Sequence, residues 1–197
     1  PDGETLVVAN GGIRTEADSR EALNLDAMES SLVLLQRDGS LLSKEQLPAQ
    51  MNSIRHLAIA ADGTVVSGQQ YQGDPGDNAA MLAIKRPGQP LQAFPVAEAQ
   101  RQAMQQYCAS LAIHNELRLL ALTAPRGNRL FIWDLDSAAV RLDVALSDCA
   151  GVGAVAEGFV VSSGTGRCRL YDCRAEQVRS HALSLPAGLW DNHLRLA

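Results

Sequence analysis

The sequence predicts an all-β fold, and within that class a β-propeller, from three observations. Most of the chain consists of short runs rich in leucine and β-branched residues, separated by turn residues. Similar segments recur at a nearly constant interval. Long amphipathic helices are almost absent, and the exceptions are the short stretches 18–29 and 97–107, where helix-forming residues prevail.

The repeat is clearest when four segments are aligned on one apolar position. Leu57, Leu111, Val152 and Leu194 then stand 54, 41 and 42 residues apart. The long first interval contains the helical stretch 97–106, and without that stretch the period returns to the low forties. A period of about 40–45 residues, with four short strands in each repeat, is typical of a propeller blade. A β-sandwich would not produce this fixed interval.

Each repeat is interpreted as four strands, A to D, with strand A innermost. In the third repeat we expect these strands at 110–113, 117–123, 129–134 and 140–146. The pair Trp133-Asp134 at the end of strand C is typical of WD-repeat blades. The Gly-His partner of that motif is missing, so we predict a general propeller and not that subfamily.

The chain is long enough for about four blades. Their approximate limits are 1–52, 53–106, 107–147 and 148–189, and 190–197 forms a closing or next inner strand. The first blade lacks strand A, and the opening Pro1-Asp2-Gly3 is typical of the middle of a fold. Because unpaired edge strands are a liability, we expect preceding sequence or a second chain to complete a ring of about seven blades.

Composition excludes several classes of function. The 197 residues carry a formal net charge of −5 with no run of lysine or arginine, which argues against a nucleic-acid-binding surface. No apolar stretch approaches the roughly 20 residues of a membrane-spanning helix. No signal peptide is visible in the sequence.

The four cysteines do not indicate whether the protein works in an oxidising or a reducing compartment. Cys108, Cys149, Cys168 and Cys173 form no C-x-x-C motif, so zinc-ribbon and thioredoxin-like sites have no support. Four cysteines allow three disulfide pairings, which an exported protein could use. We favour small buried apolar side chains, because free cysteine usually has that role.

Six motifs carry a family resemblance across nearly the whole chain. They are PDGETLVVANGGI, LNLD, SSL, SIRHL, QYQGDP and WDNHL, at residues 1–13, 23–26, 30–32, 53–57, 70–75 and 190–194. Together they resemble the bacterial family catalogued as domain of unknown function 1513. The resemblance implies a Tat-exported, periplasmic, propeller-like protein of about twice this length, of which this chain is the C-terminal half. It also implies iron-related physiology, since members tend to be encoded near imelysin-type proteins and di-haem c-type oxidoreductases.

The long insertions indicate which end of the blades binds a partner. The segments 11–29, 71–79 and 97–106 all fall on the end that carries the B–C and D–A loops, whereas the opposite end has only tight turns. Insertions concentrated on one face mark the usual binding face of a repeat protein. We therefore expect a protein or small ligand to bind on this face.

Polar residues near the central channel of this face are the candidate site. They are Asn10, Arg55, His56, Gln70, Tyr71, Arg126, Asp191, Asn192 and His193. His56 and His193 occupy equivalent blade positions, so their imidazoles are the candidates for a transition-metal site. We favour a solvated polar channel, because no third fixed ligand is identifiable, and we predict no cofactor.

Two functions follow from these features. The favoured one is a non-catalytic periplasmic propeller that binds a protein or small ligand, because no complete catalytic constellation is visible. The alternative is a lactonase-like hydrolase whose metal is held by His56, Asn192 and His193.

Overall fold

The computed structural model describes residues 3–19, 21–184, 188–191 and 194. These residues form four antiparallel sheets, which we name blades I to IV. Blade I contains β1 (Thr5–Asn10), β2 (Ser31–Gln36) and β3 (Leu41–Glu45), and blade II contains β4 (Asn52–Ile59), β5 (Val65–Tyr71), β6 (Leu82–Lys85) and β7 (Gln92–Ala93). Helix α1 (Glu98–Ala103) follows, then blade III with β8 (Ser110–His114), β9 (Leu119–Ala124), β10 (Arg129–Asp134) and β11 (Val140–Ala145). Blade IV contains β12 (Cys149–Val155), β13 (Gly158–Ser163), β14 (Cys168–Asp172) and β15 (Arg179–Leu183).

Each blade is a meander in which consecutive strands pair. Its tight turns match the sequence signals, as between β2 and β3, where Gly39 has a φ of 88° after Asp38. The inner strands β4, β8 and β12 pack in succession against the neighbouring blades. The all-β propeller architecture predicted from the repeat is confirmed, and the strands of blade III lie within two residues of their expected positions.

The hydrophobic core lies in layers between adjacent blades. The layer between blades II and III contains a stack of Phe131 on Trp133, with ring centroids 5.2 Å apart. Phe94, which follows β7, meets the same indole edge-on at 6.1 Å. A separate layer between blades III and IV is built mainly from leucine, valine and isoleucine. Aliphatic side chains therefore provide most of the packing, in keeping with the low aromatic content.

Burial along the strands follows from this layered arrangement. Every residue of β9 is buried, because blades II and IV cover the two faces of blade III. By contrast, four of the five residues of the outermost strand β15 are exposed. The edge of blade I has no strand before β1 among the described residues.

The final inner strand predicted at 190–197 falls largely outside the described residues. Trp190, Asp191 and Leu194 are described and have no strand structure. Leu194 lies directly against Gly151 of β12, where an added Cβ would approach the Leu194 Cβ at 2.6 Å. The end of the described chain therefore returns to the inner strand of blade IV.

Only one of the two expected helical stretches forms a helix. The stretch 97–107 contains α1, whereas the described part of 18–29 has a single 3-10 turn at Leu25–Ala27. In that loop the Asn24 side chain accepts a hydrogen bond from the Arg14 N–H at 2.7 Å and donates one to Gly12 O at 3.0 Å. These bonds fix an irregular loop, and none of the 3-10 residues is buried, so no packing supports a longer helix.

All four cysteines are free and buried. The expectation of buried thiols is confirmed. Burial raises the pKa of Cys108 to about 12, and desolvation likewise raises the pKa of Cys149 and Cys173 to about 11. In the described part of the chain, no helix has the length and apolar character needed to span a membrane.

Candidate functional site

Three long loops leave the blades at the same end, which we call the loop-bearing end. They are residues 11–30 after β1, 72–81 after β5, and 94–109, which include α1. Strand pairing shows that the end of a second strand and the start of an inner strand lie at the same end of a blade, because Tyr71 at the end of β5 lies opposite Asn52 at the start of β4. A bridge between Gln70 and Tyr107 brings the end of the third loop to the same level.

The second loop is held together by its acidic residues. The Asp74 carboxylate accepts a hydrogen bond from the Gly76 N–H at 2.7 Å, which forms a tight turn. The Tyr71 hydroxyl donates a hydrogen bond of 2.5 Å to the Asp77 carboxylate. This hydrogen bond, together with burial, raises the pKa of Tyr71 to about 12. The phenol is therefore protonated at neutral pH.

Helix α1 is fixed by contacts to the core and to the second loop. Trp133 Nε1 donates a hydrogen bond to Gln100 Oε1 at 3.3 Å, and both side chains are buried. On the next residue, Arg101 Nη1 donates a hydrogen bond of 2.6 Å to the backbone oxygen of Asp77. A six-residue helix with no side-chain N-cap is unstable alone, so these tertiary contacts determine its position.

The end of α1 packs tightly against the turn between β9 and β10. A Cβ added at Gly127 would overlap the carbonyl oxygen of Ala103, so only glycine permits this approach. After the helix, Gln105 and Gln106 have φ values of 49° and 57°. Two consecutive residues in the left-handed region store strain, and the hydrogen bond of 2.8 Å from Gln106 Nε2 to Gly73 O helps to hold them there.

A pocket of about 610 Å³ lies between the second loop, α1 and the β9–β10 turn. This volume is within the range of small-molecule sites, roughly 300–1,000 Å³. Ala79 and Met81 are buried and form an apolar part of its lining. Its polar lining includes Tyr71, Asp77, Arg101, Gln105, Gln106 and Arg126.

Two arginines give the pocket its positive charge. The guanidinium carbon of Arg126 lies 4.4 Å from the centroid of the Tyr107 ring, a cation–π contact. Arg101 hydrogen-bonds the Asp77 backbone, and its Nε is shielded from solvent without a partner. Among the described residues, no carboxylate lies within ion-pair distance of either guanidinium. Apart from the enclosed Nε of Arg101, both guanidiniums therefore keep N–H groups that can donate hydrogen bonds to an anionic ligand.

The residues predicted for the site divide into separate regions. Tyr71 and Arg126 line the pocket. Gln70 lies beside it, where its Nε2 donates a hydrogen bond of 3.4 Å to Cys108 O. Asp191 is exposed in the described segment 188–191, whereas Asn192 and His193 lie outside the described residues.

Asn10 and Arg55 lie around the start of the first loop. Asn10 Nδ2 donates hydrogen bonds to Ser31 Oγ at 3.3 Å and to Glu29 O at 3.4 Å, so this side chain organises the loop. Arg55 is the extra residue of a bulge in β4. Its guanidinium lies against Gly11, where an added Cβ would be 3.1 Å from Nε. Bulges redirect side chains, and this one leaves Arg55 exposed at the inner strand.

The candidate metal site is only partly described. His56 lies half-buried on β4 directly after the bulge. Within the described ranges, no three His, Cys, Asp or Glu side chains are grouped as metal ligands. His193, the other candidate, falls beyond those ranges.

Several polar pocket residues were not predicted from the sequence, among them Arg101, Asp77, Gln105 and Gln106. A weak signal for Arg101 exists, because it directly follows Gln100, the buried residue of α1, and so lies beside the buried face of the helix. No sequence pattern places this helix beside Arg126, which belongs to the following blade.

The fold is that of a β-propeller protein, and the pocket lies at its loop-bearing end. Three similar solved structures have the same fold. The RRP9 WD40 repeats match with a TM-score of 0.59 and 16% identity, covering 96% of this chain and 57% of that one. Sqt1 of Saccharomyces cerevisiae matches with a TM-score of 0.58 and 16% identity, covering 89% of this chain and 57% of that one. A gluconolactonase of Xanthomonas campestris matches with a TM-score of 0.51 and 18% identity, covering 80% of this chain and 56% of that one.

The chain belongs to the family described as "Protein of unknown function (DUF1513)", whose model matches residues 1–197. It spans little more than half the length of the propellers it resembles. No curated protein matches its sequence.

Proposed function

We propose that this chain is part of a non-catalytic binding protein that holds a small ligand or a protein segment at the loop-bearing end. The observation that carries the proposal is the pocket of about 610 Å³ built from two of the three long loops. Binding surfaces of repeat proteins are commonly formed by loops gathered on one face.

The polar groups of the pocket suit binding better than proton transfer. The Asp77 carboxylate already accepts the Tyr71 hydroxyl, and the raised pKa of Tyr71 makes that phenol a poor base at neutral pH. Guanidinium groups such as those of Arg101 and Arg126 donate hydrogen bonds and are not acid–base catalysts. Such a set recognises an anion or a carbonyl oxygen.

Site-specific photo-crosslinking tests the proposal. A benzophenone amino acid placed at Pro75 or Gln102 would probe the pocket, and one at Glu116 would probe the tight turn between β8 and β9 at the opposite end. After irradiation in the source cells, mass spectrometry of the labelled peptide detects protein and small-molecule adducts. We expect adducts from Pro75 and Gln102 and none from Glu116. Equal labelling at both ends, or none at the pocket, contradicts the proposal.

We also propose, on the family resemblance, that the protein acts in the periplasm in iron-related physiology. Fractionation of cells that express the tagged full-length protein tests the compartment, and recovery in the cytoplasm contradicts it. The same crosslinks compared between iron-limited and iron-replete growth test the link to iron. A pattern that does not change with iron contradicts that link.

A second candidate function is a metal-dependent, lactonase-like hydrolase. The observation that favours it is the position of His56 on the inner strand β4, directly after a bulge. Elemental analysis of purified protein separates the two functions. A stoichiometric transition metal, lost in His56→Ala and needed for stability against chelator, would support the hydrolase. Metal-free protein with chelator-independent stability would overturn it.

A further inference from the structure

The pocket contains two guanidinium groups that have no carboxylate partner among the described residues, unlike the paired arginines of the blades. Arg118 is paired with Asp62 at 3.0 Å and with Asp136 at 2.8 Å, and Arg174 is paired with Asp172 at 2.6 Å. Arg101 and Arg126, from α1 and from the β9–β10 turn, line one cavity with no such pair in the described part of the chain.

The donors of both groups are incompletely used. Arg101 donates one hydrogen bond, from Nη1 to Asp77 O, and its Nη2 has no partner among the described residues, whereas its Nε is enclosed and out of a ligand's reach. The guanidinium carbon of Arg126 lies 4.4 Å from the centroid of the Tyr107 ring, and its N–H groups have no hydrogen-bond partner among the described residues. The two oxygens of a carboxylate match the geometry of guanidinium N–H groups, so a bound carboxylate would accept hydrogen bonds from the terminal nitrogens of both arginines.

The charge balance of the pocket selects the kind of anion. The lining contains two guanidiniums and the Asp77 carboxylate, and the Asp74 carboxylate lies beside it, bonded to Gly76. A singly charged carboxylate adds one negative charge near these two acidic groups, whereas a phosphate dianion adds two. The buried side chains of Ala79 and Met81 offer an apolar surface to the rest of the ligand.

We propose that this pocket binds a small organic monocarboxylate, whose carboxylate is held by Arg101 and Arg126 and whose apolar part lies on Ala79 and Met81. The inference rests on the proposed function, because it names the ligand class of the same pocket. It excludes doubly charged phosphate esters as preferred ligands.

Titration with three matched probes tests the ligand class. The probes are 3-phenylpropionate, its uncharged amide, and phenyl phosphate, added to the whole chain and followed by saturation-transfer NMR and calorimetry. For 3-phenylpropionate we expect a dissociation constant on the order of 1 mM or lower, as is typical of a ligand of this size. We expect phenyl phosphate to bind several-fold more weakly and the amide to show no measurable binding.

Matched variants locate the binding site. Arg101→Gln and Arg126→Gln should each weaken 3-phenylpropionate binding by about fivefold or more, since each removes one charge-assisted contact. Arg174→Gln, which removes an arginine of blade IV, should leave the affinity unchanged. Thermal unfolding curves of the variants verify that each remains folded.

Each alternative result overturns the inference. Equal binding of acid and amide would show that charge is not recognised, and tighter binding of phenyl phosphate would replace the monocarboxylate by a phosphate ester. Binding unaffected by the two pocket substitutions would place the probe elsewhere. If no probe binds while the photo-crosslinks still mark Pro75 and Gln102, the ligand class is wrong and the binding role stands. If neither method gives a signal at the pocket, both proposals fail.

Discussion

The indole nitrogen of Trp133 donates a hydrogen bond to the side-chain oxygen of Gln100 at 3.3 Å, and this bond joins the core of blade III to the helix beside the pocket. Trp133 is fully buried, and Gln100 is the buried residue of α1. The next residue, Arg101, lines the pocket. The position of the arginine therefore depends on the packing of an aromatic side chain in the neighbouring blade.

Removing the acceptor of this bond should destabilise the protein. Gln100→Leu leaves the buried indole N–H without a partner, which we expect to lower the free energy of unfolding by about 1–3 kcal/mol. Gln102→Leu is the matched control on the same helix, since the exposed Gln102 side chain makes one hydrogen bond among the described residues, to Glu98 at 3.0 Å, a pair worth about 0.2–0.5 kcal/mol. Urea denaturation followed by circular dichroism measures both. Equal losses would show that the Trp133–Gln100 bond has no special role.

A methyl group at Gly127 should displace α1. Gly127→Ala places a Cβ where it overlaps the Ala103 carbonyl oxygen, and such overpacking costs about 1–3 kcal/mol. At Gly76, which also borders the pocket, the nearest atom to an added Cβ is a flexible Asp74 oxygen at 3.1 Å. We therefore expect Gly76→Ala to change stability by less than about 0.5 kcal/mol. Unfolding curves and amide hydrogen exchange in α1 test this difference, and unchanged exchange in Gly127→Ala would refute it.

An ion-pair network between blades II and III should contribute stability that depends on pH. Arg118 pairs with Asp62 and Asp136, and Arg86 Nη1 lies 3.2 Å from Asp136. The pKa of Asp136 is lowered, and the largest cause is the hydrogen bond that Arg118 donates to its carboxylate. A carboxyl whose pKa is lower in the folded state stabilises the protein above its unfolded pKa, about 3.9, and loses this effect as pH falls through the folded value.

Arg118→Gln should therefore lower the free energy of unfolding by about 1 kcal/mol at pH 7, a small value because the network is partly exposed. The difference from the parent chain should shrink as the pH falls below about 4. Arg179→Gln, at an exposed position with no ion pair among the described residues, is the control. Denaturation at a series of pH values measures the effect. A loss for Arg118→Gln that stays constant from neutral to acidic pH would contradict the assignment to Asp136.

The cysteines should be unreactive in the folded protein. Burial raises the pKa of Cys108 to about 12 and that of Cys149 and Cys173 to about 11, and it also raises the pKa of Cys168. Because only the thiolate reacts, Ellman's reagent should label none of them rapidly at pH 8 and all four after denaturation. Ala139→Cys, at an exposed turn, should react at once. Rapid labelling of the unmodified folded chain would contradict the buried arrangement.

The strand pattern of the blades was predictable because it depends on local sequence. Residues 129–134 are a short apolar run between Arg129 and Asp134, and they form β10 over the predicted range. The helical interpretation of 18–29 failed because composition does not reveal that Asn24 bonds the backbone of Arg14 and Gly12. Helix propensity was overridden by side-chain hydrogen bonds within the loop.

The sequence by itself determined the blade interval, the strand content and the end of the molecule that carries the long loops, because these follow from spacing and turn residues along the chain. It also selected Tyr71 and Arg126. Only the tertiary structure decided that these residues share a pocket with Arg101 and Asp77. That arrangement depends on the packing of α1 against Trp133 and Gly127 of the next blade, and contacts between residues distant in sequence leave no local pattern.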